Sequence, residues 1–175
     1  MPPMLATILH ELGIPPALIE ARGLRAFPEA ERLVEAEMGD DGRLHRLVPE
    51  VALAWRSMKA AALNDGVALR LVSAFRSVER QAEIVRHKLA RGEVVVDVLK
   101  VCAPPGFSEH RSGCAVDLSV SGEVPLQPGF AQTPAYAWLT AHAADFDFYL
   151  SFPEGNQQGY AFEPWHWCHR SASAV

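Results

Sequence analysis

Little in this chain points to a membrane, a nucleic acid or a disulfide scaffold. No apolar run approaches the roughly 18–20 residues of a spanning helix. The opening MPPMLATILHELGIPPALIEARG is broken by proline and acid and has no basic leader, so no signal peptide is expected. Positive charge is scarce. Sixteen Lys and Arg face 21 Asp and Glu, a formal net charge of −5, the wrong sign for a phosphate backbone or an anionic bilayer. Cysteine is scarce too: Cys102, Cys114 and Cys168 are odd in number and form no CxxC pair, which excludes a disulfide framework and a structural zinc ribbon. Internal repeats and low-complexity tracts are absent. The expectation is a cytoplasmic protein, or one exported without a recognisable signal.

What is present has the composition of one globular domain over residues 1–175, 49% hydrophobic and 21% charged, long enough to bury a core unaided. Residues 1–48 read as a helical lead-in ending in the charged loop MGDDGRLHR. Pro49 opens a helix to about Leu63, with Val51, Ala54, Trp55, Met58 and Ala62 at helical spacing, and NDG at 64–66 stops it. VALRLVSAF (67–75) reads as a strand. Ser77 caps a helix over about 78–91 that Gly92 closes. VVVDVLKV (94–101) is β-prone and lies close to a loop. AVDLSV (115–120) is a strand with Val116, Leu118 and Val120 on one face and Ala115, Asp117 and Ser119 on the other. A helix near 134–143 precedes two late strands, FDFYLSF (146–152) and GYAFEPWHWCH (159–169), joined by PEGNQQ. Trp138, Phe146, Phe148, Tyr149 and Phe152 read as core aromatics. The mixed order with hairpin-like spacing at the end predicts an α+β fold, a small antiparallel sheet flanked by helices.

Chemistry concentrates in GFSEHRSGCAVDLSV (106–120). Asp117 lies opposite the apolar face of its strand, and the Gly113 turn allows His110 to converge on it. Imidazole nitrogen and carboxylate oxygen are ordinary zinc ligands, and a catalytic zinc keeps three protein ligands and one open position. FEPWHWCH offers His166 as the third, with Glu163 three residues earlier as a general base. On a regular strand residues 163 and 166 face opposite ways, so Glu163 reaches the site only if Pro164 marks a bulge or edge. Cys168 shares the face of His166 but would close the site as a fourth ligand. His169, in HxxH with His166, splays away on a strand. Neither is counted in the site.

The pattern S-E-H-x-x-G-x-A-x-D at 108–117, followed by E-P-W-H-W at 163–167 and preceded by SAFRSVERQ at 73–81, resembles the VanY-like D-alanyl-D-alanine carboxypeptidase family of zinc peptidases. The three motifs stand in family order across residues 73–167. The resemblance implies a compact D,D-peptidase/hedgehog-like fold and one Zn2+ per chain held by His110, Asp117 and His166. It makes Glu163 the catalytic base. Arg76 would hold the substrate's terminal carboxylate, with Ser108 and Gln81 as further polar contacts to the peptide. A planar guanidinium suits such a clamp because it meets a carboxylate through two parallel hydrogen bonds. WCHR stands where W-R-Y is usual, and Asp147 where a glycine is common. The implied activity is removal of D-alanine from peptidoglycan stem peptides or from a D-Ala-terminated dipeptide. An L,D-carboxypeptidase of cell-wall recycling or a phage-type L-alanyl-D-glutamate endolysin would use the same groups. Outside enzymes, the alternative is a zinc-binding interaction module.

Overall fold

Residues Ala115–Ser119 form β4, an inner strand of a four-stranded antiparallel sheet in the computed structural model, which describes residues 2–173. Its neighbours are β3 (Arg70–Ser73) and β6 (His166–His169), and β5 (Phe148–Leu150) pairs with the far side of β6. All three pairings are antiparallel. The α+β class expected from the element order is the class observed.

Two apolar cores hold this sheet in place. Helix α3 (Pro49–Asn64) begins with Pro49 in its first turn, where the missing N–H costs nothing. It buries Val51, Trp55, Met58 and Ala62 at helical spacing against Val116, Leu118 and Phe148 of the sheet and Leu139 of α6 (Pro134–His142). The second core joins α1 (Pro3–Glu11), α2 (Pro16–Ala21), α4 (Val78–Ala90) and α5 (Val95–Val101) through Leu9, Ile14, Val85, Val98 and Leu99. Ser77 caps α4 as expected, its hydroxyl accepting from the Arg80 N–H at 3.1 Å.

Four readings of the sequence change. The lead-in is helical only through Ala21; MGDDGR is the turn of a hairpin between β1 (Val34–Met38) and β2 (Leu44–Leu47). Val34, Ala36 and Met38 do alternate with Glu35 and Glu37, but strand and turn carry so much charge that the segment resembles a loop. VVVDVLKV is helical over Val95–Val101, where burying Val98 and Leu99 in the second core overrides the β preference of valine. The last strand starts only at His166, leaving residues 159–165 irregular. Among the aromatics, Tyr149 is exposed and Phe152 lines a cleft instead of the core. Asp147 has a φ of 60° at the end of a 3-10 turn, a left-handed conformation that aspartate tolerates and that explains why glycine suits the position.

Gly113 also has a positive φ, 70°, and closes the 3-10 turn Glu109–Ser112 that carries His110. A Cβ there would meet Val48, Leu33 and Ala30 side-chain carbons at 3.0, 3.1 and 3.2 Å. Gly113→Ala is therefore expected to lose about 2–4 kcal/mol of stability from the left-handed backbone and the crowding together. Urea unfolding measures this, and a variant as stable as the parent would contradict the assignment.

Candidate metal centre and active-site cleft

The register of the sheet builds the centre. Ser73 pairs with Asp117, and Asp117 pairs with His166. Directly opposed residues project from the same face, so three strands present a hydroxyl, a carboxylate and an imidazole side by side. A bulge between Leu71 and Ser73 sets this alignment on the β3 side. His110 arrives from the 3-10 turn, stitched to the end of β3 by two hydrogen bonds. Its Nδ1–H donates to the Ala74 carbonyl at 2.7 Å, and its own carbonyl accepts from the Arg76 N–H at 3.1 Å.

Asp117 lies between both imidazoles. His110 Nε2 is 3.1 Å from Oδ2 and His166 Nδ1 is 3.0 Å from Oδ1. All three side chains are buried, and their potential ligand atoms lie within 4.8 Å of one another. This is the one such cluster among the described residues. The donor set fits zinc, which takes imidazole nitrogen and carboxylate oxygen as ligands, and the three groups are close enough to meet one ion. One side opens to a cleft of about 450 Å³, leaving room for a solvent or substrate oxygen.

The two histidines would use different nitrogens, and their far-side partners explain why. The Ala74 carbonyl can only accept, so His110 keeps its proton on Nδ1 and turns Nε2 inward. His166 Nε2 lies 2.9 Å from Glu109 Oε2, which also accepts from the Ser151 hydroxyl at 2.6 Å. The carboxylate thus holds a proton on Nε2 and leaves Nδ1 for the metal, an arrangement that fixes ring orientation and raises ligand basicity. Sequence reasoning missed Glu109. It stands inside the motif, but nothing in its spacing shows that the fold brings residue 109 behind residue 166.

Burial and charge set the protonation states. Burial raises the Asp117 pKa, but His110 and His166 more than reverse this and hold the carboxyl well below the usual carboxylate range. Burial lowers His110 toward the neutral, ligating form. For His166 burial is outweighed by hydrogen bonds to Asp117 and Glu109, which raise it to about 10; metal uptake must displace its Nδ1 proton. Burial pushes Glu163 up to about 7, with His166 and Arg76 opposing and Asp117 assisting.

Glu163 reaches the cleft without a bulge. Residues 163–166 form a turn closed by the His166 N–H donating to the Glu163 carbonyl at 3.0 Å, so strand alternation does not apply to them. Arg76 and Ser108 line the same cleft. Arg76 donates to Gln81 Oε1 at 2.9 Å, Ser73 Oγ at 3.0 Å and Asp117 Oδ2 at 3.3 Å. The direct peptide contact expected of Gln81 is corrected by its surroundings. Gln81 is 1% exposed, and its amide nitrogen donates to the Ala103 carbonyl at 2.7 Å and Cys102 sulfur at 3.0 Å. Both ends of the amide are engaged, so it braces Arg76. His169 turns to the Ser171 hydroxyl at 2.7 Å, and burial keeps the Cys168 thiol well above its ordinary pKa.

Two imidazoles and a carboxylate gathered at one face of an antiparallel sheet, with the Glu163 carboxylate lining the same cleft, form a donor set suited to a catalytic divalent cation. The VanY D-alanyl-D-alanine carboxypeptidase family model matches residues 44–172, and the chain belongs to that family. Putative carboxypeptidase YodJ of Bacillus subtilis (strain 168) is 33% identical over 121 residues, 67% of this chain and 44% of YodJ. The chain thus spans less than half the length of that relative. The LdcB LD-carboxypeptidase structure superimposes with a TM-score of 0.72 at 27% identity, covering 84% of this chain and 73% of that one. A vancomycin-resistance D,D-pentapeptidase VanY from a VanB-type cassette, solved with Zn(II), gives a TM-score of 0.64 at 26% identity, covering 85% and 87%.

Two outcomes follow. Glu109→Ala is expected to bind zinc about 10–100-fold more weakly in a chelator competition, and Glu109→Gln, which keeps an acceptor for Nε2–H, recovers most of that loss; parental affinity in the alanine variant would remove Glu109 from the centre. In the metal-free protein Glu163 has a folded pKa near 7 against an ordinary 4.5. The folded state holds a proton there that the unfolded chain releases, so stability falls as pH rises from 4.5 to 7 and stays low above. Glu163→Gln escapes this, and its stability advantage over the parent should widen by about 3 kcal/mol between pH 4 and pH 8. Denaturation at both pH values that shows a constant gap would contradict it.

Proposed function

We propose that this chain is a zinc-dependent D-alanyl-D-alanine carboxypeptidase or dipeptidase acting on peptidoglycan stem peptides. The observation that carries this reading is Glu163: a carboxylate with a raised pKa lines the same cleft as His110, Asp117 and His166. When bound by His110 Nε2, the Asp117 carboxylate and His166 Nδ1, zinc supplies Lewis acidity to the scissile carbonyl and makes the attacking water more acidic. Glu163 takes the proton of that water at its carboxylate and delivers it to the leaving amine; a pKa near neutrality serves both transfers. Arg76 binds the carboxylate end of the substrate, held in place by Gln81 and Ser73. Its contact with Asp117 sets the guanidinium beside the centre, where it also meets the negative charge that develops on the scissile carbonyl oxygen. Ser108 contributes a hydroxyl from the cleft wall.

The family model and the likeness to the D,D-pentapeptidase support the D,D reading. The likeness to LdcB supports a second reading, an L,D-carboxypeptidase with the same groups. A cytoplasmic site of action goes with the L,D reading, in cell-wall recycling, and action at the wall with the D,D reading. Defined muropeptides analysed by mass spectrometry separate them: D-alanine released from a pentapeptide marks the first and from a tetrapeptide the second, whereas a peptide beginning at D-glutamate, with L-alanine left on the sugar, marks an endolysin.

Glu163→Ala is expected to bind one zinc per chain and to lose about 10²–10⁴-fold in kcat. His110→Ala and His166→Ala are expected to lose the metal in elemental analysis. A Glu163→Ala variant with parental turnover would remove Glu163 as the base, and a zinc-loaded parent that hydrolyses none of these peptides would contradict the enzymatic reading and favour the interaction module.

A further inference from the structure

Tyr160 stands in the wall of the cleft, 8% exposed, and its hydroxyl has no hydrogen-bond partner among the described residues. The rest of the residue is fully engaged. Its N–H donates to Asn156 Oδ1 at 3.0 Å, and its carbonyl accepts from Asn156 Nδ2 at 2.8 Å. The ring is clamped on two sides: the Phe152 ring lies 4.5 Å away between centroids, and the Arg22 guanidinium lies 4.4 Å from the ring centre. Arg22 is itself fixed by donating to the Gln158 carbonyl at 2.6 Å and the Leu99 carbonyl at 2.7 Å. Phe152 continues inward to the His166 ring, 4.9 Å away, so a single aromatic separates Tyr160 from a residue of the metal centre.

A buried hydroxyl without a partner destabilises the free protein, and a phenylalanine would fill the same space without that loss. Here Tyr160 is held rigidly in the wall of a cleft whose polar lining includes Arg76, Lys88, Ser108 and Glu163. Burial keeps it protonated, its pKa raised despite the opposing charge of Arg22, so it remains a donor throughout the working pH range. A rigid donor of this kind binds without further loss of side-chain freedom, which favours recognition of one acceptor atom.

We propose that the Tyr160 hydroxyl is a substrate-binding donor, giving its hydrogen bond to a carbonyl or carboxylate oxygen of the peptide bound in the cleft. The proposal rests on the reading of this chain as a peptidase acting on D-alanyl-terminated peptides, and it adds a recognition residue outside the three motifs that identify the family.

Tyr160→Phe tests it through two readouts that move in opposite directions. With the zinc-loaded protein and a D-alanyl-terminated peptide, KM is expected to rise roughly tenfold, with zinc stoichiometry unchanged. The Tm of the same variant without peptide is expected to equal or exceed that of the parent. The C-terminal amide of the peptide, used as a competitive inhibitor, identifies the oxygen: a Ki penalty retained in Tyr160→Phe assigns a peptide carbonyl, and a penalty confined to the free acid assigns the terminal carboxylate. Parental KM and Ki in the variant, or a lowered Tm showing that the hydroxyl is satisfied within the fold, would overturn the proposal while leaving the peptidase reading intact. A parent that hydrolyses no D-alanyl-terminated peptide would overturn both.

Discussion

The whole centre depends on one buried carboxylate. Asp117 sits on an inner strand of the sheet, 3% exposed, where an isolated anion would be costly. It is stabilised because the register places His166 directly opposite, the turn at 109–112 carries His110 over it, and Arg76 approaches its second oxygen. Each of these contacts comes from a different part of the chain. The negative charge at residue 117 thus draws strand, turn and helix-entry segments to a single point, and the same charge is what a divalent cation would meet.

Around that point the fold divides the work. Rigid sheet elements hold Asp117 and His166, so the spacing of that pair is set by strand geometry, while His110 is carried by the turn at 109–112. Glu163 belongs to a turn leading into β6, which frees it from strand alternation and gives it a partly apolar environment near Phe162 and Trp165. Helix α4 braces Arg76 through Gln81, and the second apolar core anchors that helix. The same core, through Arg22 and the end of α5, fixes Tyr160 in the opposing wall. Residues that look peripheral in the sequence, those of the first 22 positions, therefore shape the cleft by packing against what lines it.

Much of this was legible in the sequence. The alternation AVDLS marked a strand with its carboxylate turned from the apolar face, and Ser77 and Pro49 announced their helices through capping chemistry that acts locally. What was not legible depended on contacts far apart in the chain. VVVDVLKV carries a strong β preference that only burial against α1 and α4 reverses. VEAEM and its partner form a hairpin whose acids, and a bulge between Glu35 and Glu37, mask its period. A strand beginning at residue 159 turns Glu163 away from His166; the turn over residues 163–166 brings it into the cleft instead. Gln81 reads from sequence as a surface glutamine or a peptide contact, and it is neither. Glu109 and Tyr160 carried no signal of their own, since the role of each depends on which distant ring lies beside it.

The most direct measurement is zinc K-edge X-ray absorption on the protein loaded with one equivalent of zinc. The account predicts a first shell of nitrogen and oxygen only, at roughly 2.0–2.2 Å, with multiple scattering from two imidazoles. A sulfur shell near about 2.3 Å, which would bring Cys168 into the coordination sphere, or the scattering of fewer than two imidazoles, would contradict it.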